Sequence, residues 1–333
     1  MKRNSLILIA AFVLAALFAA CTKDSSYLID EVLDVNNDAE AVRIMKQHIS
    51  VPGTDQTVDL IVILKGDFIM GADYFDPDAY SYEQPQHKVT ISRDFAFAEV
   101  PVTQALYEAV MDTNPARTMA DSIPSLRGFF GADKPIVWVS YEDALEFCRR
   151  LSSMTGRTFS LPTEAQWEYV ARGGHAARRV QTIFAGDDRL DTVGWYLVNT
   201  PVDSVAVIDS LYDEYEDTTI YDTTVYHYRH IMPVRGKKPN IIGVYDLCGN
   251  VWEWCLDYFN YFTEADQVDP QGLDTVTRHP DGHYEVYHAN IRRGGSWNDG
   301  EEKCRITYRF PHDISPFNFT CDSTIGFRVV MEL

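Results

Sequence analysis

The side chains able to do chemistry crowd into the last third of the chain. Glu253 stands between two tryptophans in the run Gly249-Asn250-Val251-Trp252-Glu253-Trp254, and Arg293-Gly294-Gly295-Ser296-Trp297 and Gly326-Phe327-Arg328 follow. Glycine supplies backbone angles that other residues resist, and a buried tryptophan must find a partner for its indole N–H. These segments therefore predict loop-rich structure around buried aromatic and polar anchors. The soft ligands are Cys21, Cys148, Cys248, Cys255, Cys304 and Cys321. Past Cys21 their number is odd, which leaves at least one thiol free. No cysteine pair has zinc-finger spacing and no H-x-x-x-H pair sits on a helix, so a structural zinc site is not expected.

The N-terminus reads as a targeting segment. Lys2 and Arg3 precede an uncharged apolar stretch over 6–20 that ends Leu17-Phe18-Ala19-Ala20-Cys21. The stretch is short for a membrane span and matches a secretory signal. Small residues before a cysteine resemble a bacterial lipobox, although Phe18 is less usual than leucine there. The expectation is a signal peptide over 1–20, a lipidated (palmitate-bearing) Cys21, and a lipoprotein anchored in the cell envelope, at the outer membrane. The net charge of −20 argues against nucleic acid, which needs clustered Lys and Arg.

Several elements must position the last third. Residues 21–57 are polar and acidic, with a short helical pattern over 39–49, and read as a tether grading into the fold. Val58, Leu60, Val62 and Leu64 alternate with neighbours that are also apolar, which predicts a buried strand, a turn at Lys65-Gly66-Asp67 and a second strand. Thr103 can cap a helix carrying Leu106, Ala109 and Val110. Ser140 and Asp143 form an imperfect capping box before Ala144, Phe147, Cys148 and Leu151, ended by Gly156. Thr163 and Gln166 form the third box, before Trp167, Val170 and Ala171, ended by Gly173-Gly174. From about Phe184 onward short apolar pieces and Gly and Pro breaks take over, so the class is α+β. Residues 203–228 read as an acidic insertion, either a β-hairpin or a flexible loop.

In order along the chain, the pieces resemble the formylglycine-generating enzyme (sulfatase-modifying factor) family, an irregular relative of the C-type lectin fold with little regular secondary structure. They include Gly66-Asp67-Phe68-Ile69-Met70-Gly71, Glu83-Gln84-Pro85-Gln86-His87, Val100-Pro101-Val102-Thr103, Pro135-Ile136-Val137-Trp138, the 161–174 helix, Lys238-Pro239-Asn240, Gly243-Val244-Tyr245-Asp246-Leu247 and the three Gly-rich pieces above. The resemblance implies one such domain over 58–333. It also implies a copper oxidase, in which a pair of cysteines after the Gly-Gly-Ser-aromatic motif binds Cu(I), since soft thiolates suit that ion. Reading without gaps from Gly294, these positions hold Asp299 and Cys304; reading from Arg305 and Arg309, Cys304 also slips off. The thiolate pair is absent and copper is not expected. Asp299, Cys304 and Arg309 remain as weak catalytic candidates, in a groove with Trp297. Cys304 has a structural alternative, as a buried thiol or paired with Cys255.

The resemblance further implies a structural Ca²⁺ held by Gly249, Asn250, Val251 and Glu253, with a second, weaker site near Asn199. Calcium takes six to eight oxygens, which carbonyls of an irregular loop plus one carboxylate can supply. Glu253 could instead pair with an arginine such as Arg293 or Arg309. The functional expectation is a binding or scaffold lipoprotein without formylglycine-generating activity, taking a protein or glycan at its lectin-like loop surface. The alternative is an extracytoplasmic oxidoreductase acting on protein cysteine or another substrate. If Cys21 carries the anchor, Cys21→Ala should move the protein from the membrane fraction to the soluble one; unchanged partitioning would contradict the lipid anchor.

Overall fold

The computed structural model describes residues 29–37, 40–177, 181–213, 218–272, 277–278, 284–285, 290–311 and 321–333. The signal segment and Cys21 lie outside them. A six-stranded antiparallel sheet forms the centre, in the order Glu31–Asn37, Glu40–Ser50, Thr57–Ile63, Phe95–Ala98, Val330–Glu332, Phe159–Ser160. Its middle strands are apolar on both faces because both faces are covered. Ile61, Ile63, Phe95 and Phe97 enter one core, whereas Val58, Leu60, Ala96 and Ala98 enter another. That explains why the 58–64 run looks continuously apolar rather than alternating. The second strand predicted after Lys65 exists as Gly66–Met70, but it pairs with His87–Ile91 in a separate sheet.

The predicted helices form with their predicted caps. Gln104–Met111 is capped by Thr103, Tyr141–Thr155 by the reciprocal Ser140–Asp143 box, and Glu164–Ala171 by the reciprocal Thr163–Gln166 box. Gly156 ends the middle one in the left-handed region, at φ 68°. The first two helices pack Leu106, Val110, Ala144, Phe147, Cys148 and Leu151 on one side of the sheet. Trp167 and Val170 of the third pack on the other.

Two readings of the N-terminal part need correction. The helical pattern at 39–49 is the strand Glu40–Ser50, and that strand, Glu31–Asn37 and Thr57, all expected within the tether, lie in the central sheet. The free edge of Thr57–Ile63 accounts for the difference. Pairing with it buries Val42 and Ile44 against the first core, which outweighs local helix preference. Within 203–228 the hairpin alternative holds: Asp203–Asp213 and Thr218–Tyr228 form a two-stranded antiparallel sheet of their own. Among the described residues no helix is long and apolar enough to cross a membrane.

Candidate functional site

A second sheet carries the Gly-rich motifs. Its central strand Trp252–Tyr258 lies between Asn290–Arg293, antiparallel, and Ile325–Phe327, parallel, so that Glu253 faces Arg293 on one side and Gly326 on the other. Arg309–Pro311 completes it beyond Asn290–Arg293. Two glycines beside these strands are required by close approach. A Cβ on Gly249 would lie 2.1 Å from the Trp195 carbonyl oxygen, and one on Gly295 would meet Cys304 Sγ at 2.6 Å; both residues hold positive φ.

Glu253 is fully buried, at 0% exposure, and its carboxylate is taken. Oε1 accepts from Arg328 Nη2 at 2.6 Å, and Oε2 accepts from Arg328 Nε at 2.9 Å and Trp167 Nε1 at 2.7 Å. The cation that meets it is thus an arginine, but Arg328 of the Gly-Phe-Arg motif rather than Arg293 or Arg309. Those two serve other carboxylates. Arg293 donates to Glu168 and to the carbonyls of Ile306, Thr307 and Tyr308. Arg309 holds Glu164 through Nε and Nη2, each at 2.6 Å, with its guanidinium 3.7 Å from the Phe262 ring. A fourth buried pair joins Arg305 to Glu83 at 2.8 Å.

The remaining residues of the predicted calcium loop are pinned as well. The Asn250 side chain accepts from Met232 N and donates to Met232 O, and its carbonyl accepts from Trp297 N. Gly249 N donates to Gly294 O, and Val251 is buried in a small apolar cluster with Phe129 and Trp297. Just upstream, Asp246 is buried with Oδ1 lacking any hydrogen-bond partner. Burial pushes its carboxyl up to about 6, with the Glu253 charge adding to the effect against the backbone N–H of Arg235 and the Arg328 charge. Asn199 closes a local turn, accepting from Tyr196 N and donating to Asp191 and the Gly194 carbonyl.

Asp299, at the first thiolate position only when the motif is read without gaps, sits at the edge of Trp252. Its Oδ2 accepts from Trp252 Nε1 at 2.8 Å and from Ser296 Oγ, and its Oδ1 pairs with Lys303 at 2.9 Å. Around the Trp252 ring stand Tyr308 and Phe310, with centroids 5.9 and 5.7 Å away, and the Arg292 guanidinium at 5.5 Å. Cys304 is buried in the core that also holds Cys248, its thiol is free, and burial holds it well above the ordinary range. Its pairing with Cys255 is not formed; both thiols are free, and the thiol whose charge bears on Cys304 is that of Cys248. Trp297 stacks edge-on against Phe129 and donates to the Ser323 carbonyl, while Arg309 is held by Glu164 and Phe262. Sequence reading missed Asp246 and Arg292. Each lies inside a quoted or adjoining motif, and only strand alternation, which sends Arg292 and Arg293 to opposite faces, could have separated them.

An α+β fold of this irregular kind, with a tryptophan-lined face where a thiolate pair would stand, defines a formylglycine-generating-enzyme-like domain of C-type-lectin-like fold. The chain belongs to the sulfatase-modifying factor enzyme 1-like domain family, whose profile matches residues 46–333. It is 32% identical to the formylglycine-generating enzyme of Streptomyces coelicolor over 196 residues, 58% of this chain and 51% of that one, so it spans about half of that relative. It is 24% identical to the chaperone protein LppX of Paenibacillus barcinonensis over 78% of this chain and 86% of that one. Among solved structures, Treponema denticola variable protein 1 superposes with a TM-score of 0.62 at 22% identity, covering 86% of this chain and 99% of that one, a likeness of fold.

Proposed function

We propose that the chain is a lipid-anchored extracytoplasmic binding protein on a sulfatase-modifying-factor-like domain, without formylglycine-generating activity. The observation that carries this is Asp299. A carboxylate is a hard ligand where Cu(I) needs a thiolate, and this one is already spent on Trp252, Ser296 and Lys303. Cys304 alone offers a buried thiol that resists ionisation. Both features favour a role other than two-thiolate chemistry. The relative named a chaperone, matched over most of its length, supports a role in holding another polypeptide, with a protein or glycan taken at the loop surface. The lipobox at Cys21 supports placement at the outer membrane of a bacterial envelope. The second reading, an oxidoreductase of the same family, draws on two buried thiols, Cys248 and Cys304, the first of which raises the pKa of the second. Copper-loaded protein incubated with a peptide bearing Cys-x-Pro-x-Arg should yield no aldehyde by mass. Turnover that is lost in Cys304→Ser would replace the binding reading with the oxidase.

Calcium is proposed with a changed ligand set. The fit rests on Asp246, whose buried Oδ1 has no hydrogen-bond partner among the described residues, and carbonyls of the following loop would complete the oxygen set. Glu253 already has its cation. The sign of the pH dependence follows. A carboxyl raised from 3.8 to about 6 binds its proton in the folded chain across that window and not in the unfolded one, so stability falls as pH rises from about 4 to 6. Asp257, also raised to about 6 by burial and by Glu164, acts in the same sense. In EDTA, Asp246→Asn should flatten that fall and raise the thermal midpoint above pH 6, and asparagine tolerates the left-handed φ of 55° there. Added Ca²⁺ should raise the wild-type midpoint and leave Asp246→Asn unmoved. Equal responses of the two proteins would sink the calcium proposal.

A further inference from the structure

Arg292 and Arg293 are neighbours on one strand with opposite fates. Arg293 points inward and is met by a carboxylate and three carbonyls. Arg292 is only 8% exposed, yet among the described residues its Nε and Nη1 have no hydrogen-bond partner. Two residues back, on the same face of the strand and about 7 Å along it, Asn290 Nδ2 is likewise buried and unpartnered. Buried polar groups are nearly always satisfied, and a buried cation left without an acceptor is costlier than a neutral donor. The Phe310 ring, 4.6 Å from the guanidinium, and Trp252, at 5.5 Å, return part of that cost through their faces, but they accept no N–H bond.

The nearby carboxylates do not fill the gap. Asp299 and Asp322 act on Arg292 through space, but Asp299 is committed to Trp252, Ser296 and Lys303, and Asp322 Oδ1 accepts from the Thr324 N–H and hydroxyl. Burial pushes Arg292 below its ordinary range, the direction expected of a cation kept without a counterion. The donors thus wait for an acceptor from outside the described chain.

We propose that Arg292 and Asn290, walled by Trp252, Tyr308 and Phe310, form an oxyanion subsite that takes a carboxylate carried on an apolar or aromatic stem. The rings suit the stem, and guanidinium suits a planar oxyanion. A monoanion is favoured over a phosphate dianion because Asp299 and Asp322 flank the site and the chain carries a net charge of −20. The inference rests on the binding reading of this same face, and it names what that face binds: the carboxylate end or an acidic side chain of a partner.

The test uses the mature chain at constant ionic strength, titrated with phenylacetate, acetate or inorganic phosphate and followed by tryptophan fluorescence and thermal midpoint. Phenylacetate should bind saturably and at least about tenfold tighter than acetate, with phosphate weaker than phenylacetate. Arg292→Met should weaken phenylacetate by at least about tenfold and, without ligand, melt no lower than wild type, since it removes an uncompensated buried charge. Should that variant fail to fold, Arg292→Lys is read instead; it keeps the charge but loses the planar fork, and reduced affinity supports the site. Equal titrations of wild type and variant, a preference for phosphate, or no response to any anion would overturn the proposal. None of these outcomes bears on formylglycine formation, so failure of the subsite is distinguishable from failure of the binding reading.

Discussion

A carboxylate flanked by two tryptophans on a buried strand cannot stand alone, and the way Glu253 is neutralised sets the arrangement of much of the molecule. Arg328 reaches it from the segment between the strands Ile325–Phe327 and Val330–Glu332, while donating to the carbonyls of Ala98 and Tyr245. Trp167 reaches it from the helix Glu164–Ala171. One ion pair therefore ties the second sheet to the central sheet, to a helix on its face and to the loop entering the Gly-rich motif. The pairs Arg293–Glu168, Arg309–Glu164 and Arg305–Glu83 repeat the device. Buried pairs of this kind often add little net stability over an apolar replacement, but losing one partner is costly. They fix the register of irregular loops that no ladder of backbone hydrogen bonds could define.

That constraint also separates structure from function. Charged residues in the motifs look catalytic in a sequence, yet Arg309 is paired with Glu164, Arg293 with Glu168 and Arg305 with Glu83. Asp299 faces Trp252 and two donors, an arrangement that holds the loop after Ser296 in place without a thiolate pair. Arg292 differs in that its Nε and Nη1 have no hydrogen-bond partner among the described residues, while aromatic rings face its guanidinium. The face around Trp252 thus combines aromatic walls with donors that lack a partner among the described residues.

The family, the α+β class, the helix caps and the apolar strand at 58–63 were legible because each rests on local chemistry: a hydroxyl three residues before a Glu, Gln or Asp, or a run apolar on both faces. The strand Glu40–Ser50 was not, since its identity depends on a partner edge rather than on its own pattern. The partner of Glu253 was legible as a type, an arginine, but not as Arg328, because the pairing spans 75 positions. Asp246 and Arg292 were invisible for the opposite reason: what marks them is a missing partner, and sequence carries no record of that.

The most direct test is a double-mutant cycle on Glu253→Gln and Arg328→Met, read as unfolding free energy in EDTA so that calcium plays no part. If the pair is the structural anchor described, each single change should cost about 3–5 kcal/mol by stranding its partner's charge, and the double variant should cost well under the sum of the two. Additive losses would show that the two residues do not act on each other and would contradict the account.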